Sequence, residues 1–314
     1  MDHGFLLYLK LLSNRDKVKK TVKGVRRMAN DHGTFKYKRN QRLIAMTQVL
    51  MQAPNQLINF ARFTQEFGCA KASVSEDIEM IKEVMLARQT GVVETFTGKS
   101  GGVIFRPALS EKAVQDLQTL IQDKMLEGKR ILPGNYIYVN DLLQDPYILK
   151  SIAQLIAFKY YSKKIDAVVT IEAKGIGLAA MVASFLNVPY VVARRESSKI
   201  EGSTISINYI SGSHQVVQKM ELSKQSLQAH SKVLMVDDFL RNGGTMAGLL
   251  SLMEEFNSKA VGICVFAENK AQGRVALPNY QALFETSLAY NNEVGHYQLE
   301  TQLGNFFQSA KADG

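Results

Sequence analysis

Apolar and polar residues follow two different periods along this chain, and the change of period divides it. Over 42–52 the apolar positions Leu43, Ile44, Met46, Val49 and Leu50 recur at helical spacing, and Pro54 ends the run. Residues 56–67 predict a second short helix closed by Gly68. A third starts near 70–73 and carries Val74, Ile78, Ile81, Val84 and Met85 on one face. Two β-prone runs, 91–96 and 103–105, then flank a glycine-rich turn over 97–102. Beyond Pro107 an amphipathic helix is predicted over 111–127, then a turn at 132–135, a strand over 136–139 and a helix over 146–161. From there short, continuous apolar runs alternate with helices: strand 166–171, helix 176–186, strand 189–193, an alternating run 203–209, strand 233–236, a helix from Met246 and strand 260–268. Such runs alternating with helices are buried parallel strands, so this part is predicted to be α/β, with a doubly wound parallel sheet.

Composition is globular, with 46% apolar and 21% charged residues. No apolar run approaches the roughly 18–20 residues that span a bilayer, so no membrane partner is expected. The short apolar stretch near the start has no cationic segment before it and no clear cleavage site, and is read as something other than a signal peptide. Cys69 and Cys264 are isolated, which predicts reduced thiols in a cytoplasmic protein, and the five histidines show no metal-ligand spacing. Charge sharpens the division. The first 107 residues hold 18 Lys and Arg against 9 Asp and Glu, whereas the rest holds 20 of each, so the whole net charge of +9 lies in the first third. A basic segment joined to a neutral one predicts a polyanionic partner for the basic part.

Three short helices followed by a glycine-tipped hairpin is the order of a winged helix-turn-helix. Residues 35–107 are therefore assigned to a DNA-binding domain, 108–314 to the α/β domain, and 1–34 to a basic N-terminal extension. That extension fits either a flexible tail or an arm that touches the DNA backbone. The third helix opens with Lys71, Ser73 and Ser75, donors small enough to enter a major groove. Arg39, Arg42 and Lys99 are expected to meet phosphates, which orient a protein on DNA without reading sequence. Glu76, Asp77 and Glu79 follow just behind; they favour a helix N-terminus but would repel phosphate if they faced it. A small helical dimerisation module is the alternative for the same pattern.

The chemistry of the second part concentrates in 233–245, VLMVDDFLRNGGT. A buried strand runs into Asp237 and Asp238, and a loop closed by Gly243, Gly244 and Thr245 leads into a helix. Backbone N–H groups at such a helix start face an anion, and glycine lets the backbone come close. Paired acids at the strand end suit two neighbouring hydroxyls, as on a ribose. Together they specify a sugar phosphate.

This segment resembles the phosphoribosyl pyrophosphate (PRPP) signature of type I phosphoribosyltransferases. The resemblance implies that Asp237 and Asp238 hold the ribose hydroxyls, and that Phe239, Arg241, Asn242, Gly243, Gly244 and Thr245 form the phosphate-binding segment. The family often has Thr where this chain has Asn242. It also implies that the turn Ala173-Lys174-Gly175 meets the diphosphate, and that Arg194, Arg195 and Lys199 lie where the family carries a mobile loop. Tyr136 and Tyr138 share one face of their strand, and Tyr136 is assigned to the ligand pocket with packing as the alternative role. Over about 35–305 the chain is similar to the purine operon repressors of Gram-positive bacteria, with CAKASVSEDIEMIK, ILPGNYIYVNDLL and EGSTISINYISGS as further matching stretches.

The resemblance implies a homodimeric transcription regulator of purine nucleotide genes that binds a double-stranded operator. PRPP is its effector, magnesium can accompany it, no cofactor is required, and the transferase fold lacks transferase activity. Repression is implied, although the same parts serve activation, and the pocket is open to a competing second nucleotide. The rival reading is a working purine phosphoribosyltransferase with an accessory helical domain; a PRPP-sensing module acting on protein or RNA is the third.

Overall fold

In a computed structural model the described residues are 37–98, 101–127, 130–134, 136–196, 202–211, 216–269, 273–292 and 295–308. The extension 1–34 and Lys99 and Lys199 lie outside them. The chain separates into two compact units. The first takes in the chain up to Gln52, Leu57–Val84 and Val93–Ile104; the second takes in Ala53–Gln56, Met85–Val92 and the chain from Phe105.

The first unit contains α1 (Arg39–Gln52), β1 (Ile58–Asn59), α2 (Phe60–Phe67) and most of α3 (Lys71–Ala87). Beside them run β2 (Gly91–Phe96) and β3 (Gly102–Pro107), in a sheet of order β1-β3-β2. Met46 and Leu50 of α1, Phe63 and Phe67 of α2, and Val74 and Ile78 of α3 are buried at helical spacing, whereas Ile44 and Val84 of the predicted apolar faces are exposed. The second helix starts four residues later than its apolar pattern suggests. Ile58 and Asn59 pair with Val103 and Gly102 instead, and the Asn59 side chain accepts the N–H of Ala61 at 2.7 Å to cap α2. Gly68, in the left-handed region at φ 58°, ends α2 and turns the chain toward α3.

The second unit is built on a six-stranded sheet of order β13-β12-β11-β10-β6-β7. Its strands are β6 (Ala167–Ile171), β7 (Tyr190–Ala193), β10 (Lys232–Leu240), β11 (Lys259–Asn269), β12 (Tyr280–Asn291) and β13 (His296–Leu303). All pair in parallel except β13, which runs antiparallel to β12. Helices α4 (Glu111–Leu126), α5 (Asn140–Gln144), α6 (Pro146–Tyr160) and α7 (Ile176–Leu186) share one apolar cluster with Val168, Leu234 and Val236. The alternate residues Val169, Val233 and Met235 point to the other face, where they join α8 (Gly244–Glu255) and a hairpin of β8 (Thr204–Ser211) and β9 (Val216–Ser223). Each such fully buried aliphatic side chain contributes about 1.5–3 kcal/mol.

Chain order sets where a ligand can sit. From β6 the chain moves outward through α7 to β7; after the hairpin it returns to the other side of β6 as β10 and continues to β11 and β12. The order therefore reverses between β6 and β10, and the loops leaving their carboxyl ends diverge to opposite faces. Such a switch point opens a crevice. A two-stranded ribbon of β4 (Ile131–Leu132) and β5 (Tyr136–Ile137) also belongs to this unit. No helix among the described residues is long and apolar enough to cross a membrane.

Candidate functional site

A cavity of about 560 Å³ opens at the switch point. The end of β10 and the loop after it, 237–246, form one wall. Lys174, Arg195 and Asn269 contribute from the ends of β6, β7 and β11, and Leu132, Pro133, Tyr136 and Ile137 line it from the β4–β5 ribbon.

Asp237 continues the buried stretch of β10 and is only 8% exposed. Burial pushes its carboxyl well above the usual carboxylate range, and the neighbouring Asp238 charge pushes it further in the same direction. The backbone N–H of Asp238 donates to Asp237 Oδ1 at 2.9 Å, which holds the first carboxylate in place. The strand thus delivers two adjacent acids, one buried and one partly exposed, to the cavity edge.

The loop from Arg241 turns into α8 at Gly243, whose φ of 81° suits glycine. The position is also crowded: a Cβ there would stand 3.0 Å from the carbonyl oxygen of Val275. The N–H of Val275 donates to the Asn242 carbonyl at 3.0 Å, so the loop is braced from outside. No side chain caps the start of α8 among the described residues. The first-turn N–H groups of Gly244, Thr245 and Met246 therefore sit at the cavity wall with the positive end of the helix dipole behind them.

On the opposite side the Glu172–Ala173 peptide is cis. Lys174 is exposed at the cavity, and Gly175 packs against β10. A side chain at 175 would meet the Asp237 carboxylate and lie 2.6 Å from Thr170 Oγ1. Absence of a side chain at Gly175 is what lets the β6 loop approach the acidic pair.

Arg130 anchors the ribbon. Its guanidinium forks onto Asp141 at 2.8 and 3.0 Å, and its Nε donates to the Lys124 carbonyl at 2.7 Å. The Arg130 hydrogen bond holds the Asp141 carboxyl below the usual carboxylate range. Above this anchor, Arg241 donates to the Gly134 carbonyl at 3.2 Å and lies over the Tyr136 ring at 4.6 Å.

The cavity brings together Tyr136, Lys174, Asp237, Asp238, Phe239, Arg241, Asn242, Gly243, Gly244 and Thr245 among the residues singled out from sequence. Ala173 and Gly175 belong to the adjoining loop without lining the cavity. Tyr138 does not line it either; its N–H donates to the Arg130 carbonyl at 2.8 Å. The motif reading did not assign Leu132, Pro133, Ile137, Leu240, Met246 or Asn269, and it placed Arg195 only near a mobile loop. Asn269 had a signal: it directly follows the predicted strand 260–268 beside the acidic one, where crevice residues of such sheets lie.

In the first unit, Lys71 and Ser75 are exposed at the start of α3 and Ser73 is half-buried. Lys71 Nζ lies 5.8 Å from the Phe60 ring centre, and Ser75 Oγ donates to the Lys71 carbonyl at 3.1 Å. The acid Asp77 is not at the surface. It is fully buried and accepts from Arg42 Nε at 2.8 Å and Arg39 Nε at 3.1 Å. Arg42 is itself only 14% exposed in its side chain, so this arginine ties α1 to α3, whereas Arg39 remains half exposed and also reaches Glu76 at 3.4 Å. A helix period puts 77 on the same buried side as Val74 and Ile78, and a buried carboxylate needs a cation.

Comparison with known proteins agrees with this two-part construction. Residues 38–107 match the family model for the bacterial purine repressor N-terminal region, and residues 139–299 match that for the phosphoribosyl transferase domain. The probable purine biosynthesis transcriptional regulator PurR of Streptococcus pneumoniae is 41% identical over 88% of this chain and 100% of its own. The purine biosynthesis transcriptional activator PurR of Lactococcus lactis is 39% identical over 86% of this chain and 98% of its own. The purine biosynthesis transcriptional repressor PurR of Bacillus subtilis is 36% identical over 88% of this chain and 96% of its own. With both units matched and relatives aligned nearly end to end, the chain belongs to the family of bacterial purine-biosynthesis transcriptional regulators.

Proposed function

We propose that the protein is a DNA-binding regulator of purine nucleotide biosynthesis and salvage genes, controlled by PRPP held in the second unit without turnover. One observation carries the effector: an acidic pair, an uncapped helix start and three cations, Lys174, Arg195 and Arg241, line a single cavity. The helix start and cations suit phosphates. The acids suit a ribose diol, and as hard oxygen donors they also suit magnesium accompanying the diphosphate. Lys71, Ser73, Ser75, Arg39 and Lys99 are the residues proposed to meet duplex DNA, with Arg42 acting through Asp77. A homodimer matches a twofold operator, and a regulator of these genes works in the cytoplasm. The same parts serve either sign of control, since the Lactococcus lactis relative is an activator and the Bacillus subtilis relative a repressor.

The test is an operator-binding titration with PRPP, run on wild-type protein and on the double variant Asp237→Ala, Asp238→Ala. A response to PRPP in the first and none in the second is the expected result. The phosphoribosyl transferase match favours one competing reading, a working enzyme. Assays with adenine, guanine, hypoxanthine, xanthine, uracil and orotate separate the two: the regulator reading predicts no turnover, and robust turnover with any base would replace it.

A further inference from the structure

We propose that Glu172 is a positioning residue that holds Arg195 at the cavity and ties the loop carrying Lys174 to the exit of β7. The inference rests on the PRPP-sensing reading in one respect, that Arg195 meets the ligand.

Glu172 is the first residue after β6, and its side chain is 28% exposed. Both carboxylate oxygens are engaged. Oε1 accepts the backbone N–H of Arg195 at 2.9 Å, and Oε2 lies 3.6 Å from Arg194 Nη1. The Glu172 N–H donates to the Ala193 carbonyl at 3.0 Å. Paired residues of β6 and β7 end at Ile171 and Ala193, so these contacts lie just beyond the ladder, where parallel pairing no longer directs the chain.

Arg194 is anchored on its other side. It exchanges two backbone hydrogen bonds with Glu221 of β9, at 2.9 and 2.8 Å. The β8–β9 hairpin in turn packs on α8, where a Cβ at Gly248 would stand 2.8 Å from the Tyr209 side chain. Glu172 therefore joins the β6 loop to a residue already fixed by the hairpin, and Arg195 leaves that junction toward the cavity. The charge arrangement follows the same logic. A free carboxylate beside Lys174 would repel phosphate, but here one oxygen faces the Arg194 guanidinium and the other accepts the Arg195 N–H, which offsets part of that repulsion. Lys174 and Arg195 then stand with Arg241 as cations lining the cavity.

The test uses full-length protein and Mg-PRPP in a calorimetric titration of a double-mutant cycle. Arg195→Ala is expected to weaken binding about tenfold, the loss of one charge-assisted contact. Glu172→Ala should produce a similar loss, and the double variant should bind no more weakly than Arg195→Ala. Glu172→Gln keeps an acceptor for the Arg195 N–H and should retain most of the affinity. Amide exchange at Arg195 is measured alongside in ligand-free protein: slow in wild type and Glu172→Gln, fast in Glu172→Ala. Full additivity of the two alanine losses, or an Arg195 amide equally protected without the carboxylate, overturns the proposal. Failure of wild-type protein to bind PRPP would instead defeat the sensing reading, and the amide measurement would still decide whether Glu172 holds Arg195.

Discussion

The guanidinium of Arg241 lies over the ring of Tyr136, 4.6 Å from its centroid, while it donates to the Gly134 carbonyl at 3.2 Å. The arginine of the loop after β10 is thereby held by the β4–β5 ribbon that forms another wall of the same cavity. A cation–π contact of this kind contributes about 0.5–1 kcal/mol. Tyr136→Phe keeps the ring and should leave PRPP affinity close to wild type. Tyr136→Ala should lower it about two- to fivefold, read by calorimetry; equal behaviour of the two variants would remove the stacking from the account.

Gly175 predicts a steric result. A methyl group there would press on Asp237 and stand 2.6 Å from Thr170 Oγ1. Overpacking of this order costs about 1–3 kcal/mol. Gly175→Ala should lower the melting temperature and weaken PRPP binding together. Gly177→Ala is the control, because a Cβ there meets nothing within 4 Å.

Asp237 predicts a pH dependence. Its carboxyl holds its proton more tightly in the folded protein than in the unfolded chain, because burial and Asp238 raise it above 3.8. The folded state then binds more protons between the unfolded and folded values, so stability is present at the acid end of that window and lost as pH rises through it. Asp237→Asn should flatten this fall and raise the melting temperature at neutral pH, by about 2–4 °C for each kcal/mol of penalty removed. The same variant should bind PRPP more weakly. A wild-type stability curve that climbs from pH 4 toward 7 more steeply than that of the variant would contradict the assignment.

Asp77 and its two arginines separate structure from recognition in the first unit. Asp77→Ala strands Arg42 in a nearly closed site and should cost about 3–5 kcal/mol of that unit's stability in urea unfolding. Removing only the half-exposed Arg39 should cost about 0–1 kcal/mol. Similar losses for both would mean that Arg39 matters to the buried carboxylate as much as Arg42 does.

Much of this was legible in the chain because period and chemistry coincide there. The strand, acids, glycines and helix of 233–255 occupy contiguous sequence, so their geometry follows from local rules. The unread parts depend on distant partners. Ile58 and Asn59 become a strand only because Val103 and Gly102 lie alongside. Strands β9, β12 and β13 carry mixed patterns: β13 is an edge strand with mostly exposed residues, and β9 buries only its second half. Tyr136 is on a strand of two residues whose partner lies across a turn, and its role depends on Arg241, more than a hundred residues away. The charge of Asp77 left its place open, and helical phase with Val74 and Ile78 puts it inside.

The cavity at the end of β10 is proposed to convert PRPP binding into a change in DNA binding. A ligand shifts such an equilibrium only through unequal affinity for the two states. Loss of either acid removes charge-assisted hydrogen bonds of roughly 1.5–3 kcal/mol each, about ten- to a hundredfold in affinity. The direct measurement is operator affinity of full-length protein across a PRPP titration, for wild type and for Asp237→Ala, Asp238→Ala. A PRPP-dependent shift is expected in wild type and a flat response in the variant, with DNA binding in the absence of PRPP preserved. Equal responses from the two proteins would contradict it.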